Sequence, residues 1–473
     1  MTDRMNPLDA AFLEAEDEEP EASLAIASIA VFEGPPPGAG EFERMIAGRL
    51  PLVPRYRQKA REVPLDLGPP VWVDDPGFDL GYHLRRTALP SPGGDEELAV
   101  LMGRVMSARL DRDRPLWEYW LVEGLAGDRW ALISKVHHCM VDGVSGTDLY
   151  RVILDQTPEP RAPVPDDWHP APEPTALELT AAAALDAAQL PLRQARALTA
   201  ALRHPTAVLH AAGAAARGLT ALAGALRPAA ASSLSGPPSA HRRFAFGRAS
   251  TEQVGAVRAA LGGTFNDVVL AAVTGGFRRL LLSRGELPTE HAVRTLVPVS
   301  VRRPGTEDVR DNEVSLLLPE LPVHLADPVE RLVAVRQHLD RAKAEHEAEA
   351  GAAVLQVAQQ QPFPAAALPV RWAAHLPQRS VVTVTTNVPG PRTPLYALGR
   401  RLLEIVPYVP IASTLRTGVA IFSYCGQVTF GVTGDLAAGD DVWTLARGIE
   451  EALGELVTAA GAHPARRTTT DGT

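Results

Sequence analysis

The order of hydrophobic and polar positions in the first third of the chain predicts a mixture of strands and helices. Leu24–Phe32 is a nearly continuous apolar run of strand length, which predicts a buried strand. Leu116–Leu125 and Trp130–His138 predict two paired strands, with a turn at Gly124–Asp128. Asp95–Leu110 has the i, i+3, i+4, i+7 spacing of an amphipathic helix, with apolar positions at Leu98, Leu101, Met102 and Val105.

A second block of the same mixed character extends from about residue 241 to residue 461. Ser250 is placed to cap a helix that ends at Gly262-Gly263, and Thr264 to cap a longer helix through Leu282. Asp267, at the third position of the longer helix, would complete an acidic variant of the capping box. A charged helix is predicted at Asp327–Ala350, and strands at Ala292–Val301, Glu313–Leu318, Val381–Asn387, Gly418–Cys425 and Gln427–Thr433.

The residues between the two blocks differ in composition. Pro158–Pro174 is rich in proline and acidic residues, as linkers are. Thr175–Leu226 is rich in alanine and leucine, and predicts two or three helices broken near Pro191 and Pro205. We interpret it as a helical tether. A lid or membrane-facing helix is the alternative, because its apolar face is accompanied by Arg193, Arg196, Arg203 and Arg217.

These patterns predict an α/β (α+β) protein of two subdomains joined by a helical linker. The first subdomain comprises residues 1–160, the linker residues 161–240, the second subdomain residues 241–462 and a disordered tail residues 463–473. A length of 473 residues and a hydrophobic content of 46% agree with two domains of ordinary size.

Composition narrows the classes of partner and compartment. The formal net charge is 46 − 56 = −10, and an acidic chain repels phosphate backbones, so no nucleic-acid partner is expected. Two cysteines provide neither a disulfide framework nor a zinc quartet, which is typical of a reducing cytosol. Neither a signal peptide nor a bilayer-spanning segment is evident, so we expect a cytoplasmic protein that is at most peripheral to a membrane.

The sharpest candidate for chemistry is the His-His-Cys-Met-Val-Asp-Gly segment at residues 137–143, which follows an apolar strand. Successive strand residues face opposite sides of a sheet, so His137 and His138 are not expected to share one task or one metal ion. A single neutral imidazole suits general-base catalysis near pH 7; two structural histidines are the other interpretation that the spacing leaves open. Asp142 would brace the loop, and Gly143 would permit a backbone reversal.

Other catalytic classes find less support in the sequence. A thiolate nucleophile at Cys139 would alternate away from His138, and no oxyanion glycine pattern accompanies it. The chain contains no Gly-x-Ser-x-Gly elbow, which argues against an α/β-hydrolase. It contains neither Gly-x-Gly-x-x-Gly nor a P-loop, which argues against a nucleotide-cofactor enzyme.

The histidine motif and several other segments resemble a known family. His137-His138-x-x-x-Asp142-Gly143 is similar to the HHxxxDG signature of the CoA-dependent acyltransferase superfamily, which includes chloramphenicol acetyltransferase-like enzymes and peptide-synthetase condensation domains. Five further segments resemble the bacterial wax ester synthase/diacylglycerol acyltransferase family, in the right order: Met5–Phe12, Pro115–Glu118, Phe265–Asp267, Val297–Arg302 and Thr386–Pro391. This resemblance implies two chloramphenicol-acetyltransferase-like subdomains with the active site between them.

The resemblance also implies transfer of a long acyl chain from acyl-CoA to a hydroxyl group. The expected acceptor is diacylglycerol, giving triacylglycerol; the alternatives are a fatty alcohol, giving a wax ester, and a condensation-type reaction on carrier-protein thioesters. His138 would be the general base and His137 would support it. Asp142 would brace the motif loop through an arginine, for which Arg57 is the candidate and Arg55 the fallback. Acyl-CoA would be a co-substrate, and neither a cofactor nor a metal is implied.

Five more residues carry over from the resemblance as supporting positions: Pro115, Leu116, Trp117, Asn266 and Asp267. Burial at the start of a strand is the other explanation for the first three, and helix capping is the other explanation for Asp267. CoA carries phosphates, so some of the many arginines are expected to cluster at a channel mouth. An enzyme without a membrane span would reach its lipids by docking at the inner membrane or at lipid inclusions.

Overall fold

The computed structural model describes residues 3–140, 150, 152–203, 233–300, 314–344, 381–438 and 441–462. The predicted tail at residues 463–473 therefore lies outside the described residues. Within them are nine α-helices, α1 to α9 in chain order: Pro7–Glu18, Ala39–Ala47, Leu80–His83, Asp95–Ser107, Ala176–Arg203, Thr251–Leu261, Phe265–Ser283, Pro328–Ala344 and Asp441–Ala462. Single turns of 3-10 helix lie at Leu50–Leu52, Pro54–Arg57, Pro64–Asp66, His138–Met140 and Leu436–Ala438.

The same residues form fifteen strands in three sheets. In chain order, β1 to β15 are Asp3–Arg4, Ala25–Glu33, Gln58–Arg61, Val71–Asp74, Leu84–Ala88, Trp117–Leu125, Arg129–His137, Arg242–Ser250, Thr295–Ser300, Val314–Leu317, Thr383–Pro389, Tyr396–Ala397, Arg400–Tyr408, Thr417–Tyr424 and Gln427–Asp435. The first six-stranded sheet has the order β12-β13-β2-β7-β6-β5, and the second has the order β10-β9-β11-β14-β15-β8. A small sheet has the order β1-β4-β3.

The predicted hairpin of the first block is present and lies at the centre of the first sheet. β7 pairs antiparallel with β6 on one edge and with β2 on the other. Trp130 and Ile133 of β7 are fully buried, and removal of apolar surface from water at about 25 cal/mol per Å² favours this central position. The strand that carries His137 is therefore fixed along its length.

The two predicted helix caps in the second block are confirmed. Ser250 caps α6. Thr264 caps α7, and Asp267 completes the box by accepting the Thr264 N–H at 2.7 Å. α7 is largely buried in a second hydrophobic core that it shares with α9. Among the described helices none is long and apolar enough by itself to cross a bilayer; α6 and α7, which meet at a 102° bend, reach that length and composition only together.

β13 belongs to the second block by sequence and to the first sheet by pairing, where it lies antiparallel to β2. β13 also contacts the second sheet, since Thr429 of β15 donates its hydroxyl hydrogen to the Ile405 carbonyl at 2.6 Å. Arg248 of β8 binds both the Glu404 carboxylate of β13 and the Asp95 carboxylate of α4. A strand from the predicted second subdomain therefore completes the sheet of the first, so the two subdomains are not separate segments of the chain.

The predicted helix break near Pro191 is wrong, because α5 continues from Ala176 to Arg203. An internal proline costs a helix about 3 kcal/mol, and the alanine-, leucine- and glutamine-rich sequence around it has the propensity to offset that cost. Pro205 lies outside the described residues. The first turns of α5 are not a free tether, since Leu179 and Ala183 pack on β4 and its neighbourhood, at Val63, Val71 and Val73.

Candidate active site

The two histidines lie where β7 ends. The His137 N–H donates to the Leu116 carbonyl at 2.9 Å, and the His138 N–H donates to the Leu24 carbonyl at 3.2 Å. His137 is the last residue of the strand, and His138 begins a 3-10 turn. The alternation expected for two successive strand residues therefore stops at His137, and the orientation of His138 is set by the turn.

α1 delivers two side chains to the histidines and explains the first motif of the chain. Asn6 caps the helix, its side-chain oxygen accepting the Asp9 N–H at 2.8 Å, and a proline occupies the first helical turn. Phe12 and Glu16 follow four residues apart, so they lie on one face of the helix. That face is turned toward the end of β7.

Each histidine contacts one of these two side chains. The rings of Phe12 and His138 have centroids 4.0 Å apart. His137 Nε2 lies 3.3 Å from Glu16 Oε2, with both side chains almost completely buried. Both imidazoles are therefore held by α1, His138 by an apolar ring and His137 by a carboxylate.

Glu16 is a residue of the site that the sequence analysis did not identify. Besides facing His137, its carboxylate accepts the Leu24 N–H at 3.0 Å and lies 3.6 Å from Arg112 Nη1. Burial alone would raise the pKa of Glu16, but the contacts with His137, Leu24 and Arg112 outweigh it and lower the pKa. The signal available in the sequence was its spacing of four residues from Phe12.

His138 is held in its neutral form. Burial, which disfavours the imidazolium, is the main cause that lowers its pKa from 6.5 to about 4, and the neighbouring His137 adds to the shift. Interaction with its own backbone acts in the opposite direction. Nδ1 is buried, and no other residue of the described part of the chain forms a hydrogen bond with it. The ring is thus a neutral, half-buried imidazole near pH 7.

Cys139 lies behind the site and not in it. Its Sγ is 3.0 Å from His137 Nδ1, and its N–H donates to the same nitrogen at 3.3 Å. Burial raises the pKa of the Cys139 thiol far above its usual value. The group therefore stays a thiol, which argues against a covalent mechanism through sulfur.

Leu116 and Trp117 support the end of β7 from within the core. The Leu116 carbonyl accepts the His137 N–H, as described above. Trp117 is fully buried, donates its indole N–H to the Tyr56 carbonyl at 2.9 Å, and stacks between Tyr56 and His83 at centroid distances of 4.6 and 4.5 Å. Pro115 is buried beside them. In the described contacts these residues hold the strand and do not touch His138.

The predicted partner of Asp142 is engaged elsewhere. Arg57 forms a two-pronged ion pair with Asp166, one contact being 2.9 Å, and lies 4.8 Å from the Trp168 ring centroid. The fallback, Arg55, pairs with Asp3 at 2.8 Å. Asp142 and Gly143 lie outside the described residues, so their loop-bracing and turn roles stay predictions. Arg57 instead ties the proline-rich segment to the first subdomain.

Asn266 and Asp267 lie at the start of α7, where two motif segments meet. The Asn387 side-chain amide at the end of β11 donates to Asn266 Oδ1 at 3.2 Å. Asp267 is buried and engaged in the Thr264 cap, which accounts for its carboxylate. No described contact joins either residue to His138. Among the described residues, no group of three or more His, Cys, Asp or Glu side chains is arranged to hold a metal ion.

Comparison with known proteins identifies the family to which the sequence is similar. The catalytic-domain model of the wax ester synthase/diacylglycerol acyltransferase family matches residues 5–269, and its C-terminal domain model matches residues 311–457. A protein of Mycobacterium tuberculosis strain H37Rv, named a probable diacylglycerol O-acyltransferase, is 43% identical over 453 residues, covering 96% of this chain and 95% of the relative. A second protein of that organism, with a putative name of the same kind, is 33% identical over 455 residues, covering 96% of this chain and 91% of its own.

Solved structures place the fold in the same class. The wax ester synthase/diacylglycerol acyltransferase of Marinobacter aquaeolei VT8 superposes with a TM-score of 0.66 at 26% identity, over 97% of this chain and 100% of that chain. The first condensation domain of the calcium-dependent antibiotic synthetase superposes with a TM-score of 0.59 at 16% identity, over 97% of each chain, which shows the fold alone. The fold is thus that of the HHxxxDG acyltransferases, with the two subdomains expected from the sequence.

The chain belongs to the wax ester synthase/diacylglycerol acyltransferase family. It is an acyltransferase, and the family predicted from the motifs is confirmed.

Proposed function

We propose that this acyltransferase moves a long-chain acyl group from acyl-CoA to the hydroxyl of diacylglycerol, with His138 as the general base. The observation that carries the proposal is the neutral, half-buried imidazole of His138 at the end of a central strand. The names of the mycobacterial relatives support diacylglycerol as the acceptor. We further propose that the enzyme works in the cytoplasm and docks on a lipid surface, in keeping with exposed Leu177 and Leu185 on α5.

The reaction is a direct transfer. An acceptor hydroxyl is a poor nucleophile until a positioned base takes its proton during attack. His138 Nε2 accepts that proton while the acceptor oxygen bonds to the thioester carbon. The carbon–sulfur bond then breaks, and the imidazolium returns the proton to the leaving thiolate of CoA. His137, fixed by Glu16, positions the turn that carries His138.

The acceptor is tested by competition. Purified enzyme would receive labelled palmitoyl-CoA with equal diolein and hexadecanol in one emulsion, with His138→Ala as the blank. We expect triacylglycerol to be the main labelled product, and flotation of the emulsion to carry the enzyme with it. Wax ester as the main product would mean that the acceptor is a fatty alcohol. In a separate reaction, transfer from an acylated carrier protein but not from palmitoyl-CoA would mean that the proposed donor is wrong.

The pH dependence follows from the lowered pKa of His138. The base acts in its neutral form, so activity is present above the pKa and lost as the pH falls through about 4. We expect kcat/KM to change less than about twofold between pH 5.5 and 7.5. An imidazole of ordinary pKa would be only about 10% neutral at pH 5.5, giving a fall of roughly tenfold.

The profile would be measured by CoA release, with tryptophan fluorescence recorded at each pH to show that the protein stays folded. A midpoint between pH 6 and 7 in the folded protein would contradict a desolvated base.

A further inference from the structure

A recess with a volume of about 570 Å³ lies between the two subdomains, outside the histidine site. Its walls are α4 of the first subdomain and, from the second, the start of β8 and the first turns of α9. Most small-molecule sites have volumes of roughly 300–1,000 Å³ and prefer domain boundaries. The recess therefore has the size and the position of a ligand site.

The recess is basic although the chain is acidic. Arg104, Arg243 and Arg447 line it, and all three are exposed. None of them has an ion pair or a side-chain hydrogen bond with any residue that the structure describes. Arg248, further along β8, is by contrast paired with two carboxylates. The one acidic residue in the lining is Glu96. Three unpaired guanidiniums facing one space favour a ligand with several negative charges.

One wall of the recess is aromatic. Trp443, in the first turn of α9, lines it and is half-buried, with its ring 6.0 Å from Phe246. Phe244 of β8 lines the same wall. A flat indole face beside guanidinium groups is suited to a heterocyclic base that carries phosphates, because bases stack on aromatic rings. A simple inorganic anion would leave this wall unused.

The recess is connected to the histidine site through α4. Ser107, at the end of α4, accepts the Arg242 N–H at 2.8 Å, and Arg242 also donates to the Glu21 carbonyl at 2.8 Å, three residues before Leu24. Lys135 of β7 donates to the Val105 carbonyl at 2.9 Å. The floor of the recess thus adjoins the segments that hold His137 and His138.

We propose that this recess binds the phosphorylated adenosine end of acyl-CoA. Arg104, Arg243 and Arg447 contact the phosphates, and Trp443 stacks on the adenine. The thioester end, on its flexible pantetheine arm, then extends toward His138. This inference rests on the proposed function, because it assigns a site to the donor of that reaction.

The test separates the nucleotide from the acyl group. Arg243→Ala and Arg447→Ala would be compared with Arg336→Ala, an exposed arginine on α8 far along the chain from the recess lining. The first measurement is calorimetric binding of adenosine 3′,5′-bisphosphate. The second is the ratio of kcat/KM for palmitoyl-CoA to kcat/KM for palmitoyl-pantetheine, which lacks the nucleotide. Loss of one arginine–phosphate contact is expected to lower both quantities roughly tenfold or more.

The outcomes are distinct. Arg336→Ala is expected to match the wild type in both measurements. Unchanged nucleotide binding and an unchanged ratio in the two recess variants would overturn the inference. The inference would also be overturned if the two recess variants lost only their binding to phosphatidylglycerol vesicles, because these arginines would then contact a membrane. If the wild type transfers no acyl group but binds the bisphosphate through Arg243 and Arg447, the recess stands and only the proposed reaction fails.

Discussion

Replacing His138 by alanine is expected to lower kcat for acyl transfer by roughly 10²–10⁴-fold, the usual effect of removing a positioned base. No second base can take its place, because His137 is the only other imidazole at this point among the described residues, and its Nε2 faces the Glu16 carboxylate. Water can replace neither the position nor the basicity of the lost ring. The measurement is CoA release from palmitoyl-CoA in the presence of diolein.

A matched control distinguishes loss of the base from loss of a histidine in general. His291 is exposed on the second subdomain, where it pairs with Glu320, and His291→Ala is expected to retain wild-type kcat. Thermal melting of both variants would show whether each is folded. Retention of more than about a tenth of wild-type kcat by folded His138→Ala would remove the residue from the mechanism.

Local chemistry made part of this structure predictable. The hairpin of β6 and β7, the caps at Ser250 and Thr264, and the paired histidines all depend on residues close together in sequence. The capping boxes are a clear example, because their hydrogen bonds join residues three apart. The exact end of β7 was harder to predict. The strand ends one residue earlier than predicted, so His138 begins a turn and does not alternate with the strand.

Contacts between distant residues were not predictable in the same way. In the sequence, Glu16 is one of several acidic residues of a helix, and only the structure shows that it contacts His137, 121 residues later. Arg57 pairs with Asp166 because the proline-rich segment lies along the first subdomain, and composition carries no information about such a path. β13 was missed for the same reason, because its partner β2 lies at the other end of the chain.

The second large effect is expected at Gly431 of β15, where the backbone of β15 passes close to that of β13. A Cβ atom at this position would overlap the Pro407 carbonyl oxygen of β13. Pro407 is itself paired with Ser28 of β2, so its backbone has no room to withdraw. Gly431→Ala is therefore expected to lower the free energy of unfolding by about 3 kcal/mol, at the upper end of ordinary overpacking. Urea denaturation followed by tryptophan fluorescence measures the change.

The matched control is Gly255→Ala in the interior of α6, where an added Cβ would meet no atom within 4 Å. This variant is expected to gain about 0.5–1 kcal/mol, because alanine loses less backbone entropy than glycine in a helix. If the free energy of unfolding falls in Gly431→Ala and rises in Gly255→Ala, the destabilisation comes from the contact with Pro407 and not from the glycine-to-alanine change itself. If Gly431→Ala unfolds at the urea concentration of the wild type, the close contact between β15 and the Pro407 carbonyl of β13 does not exist.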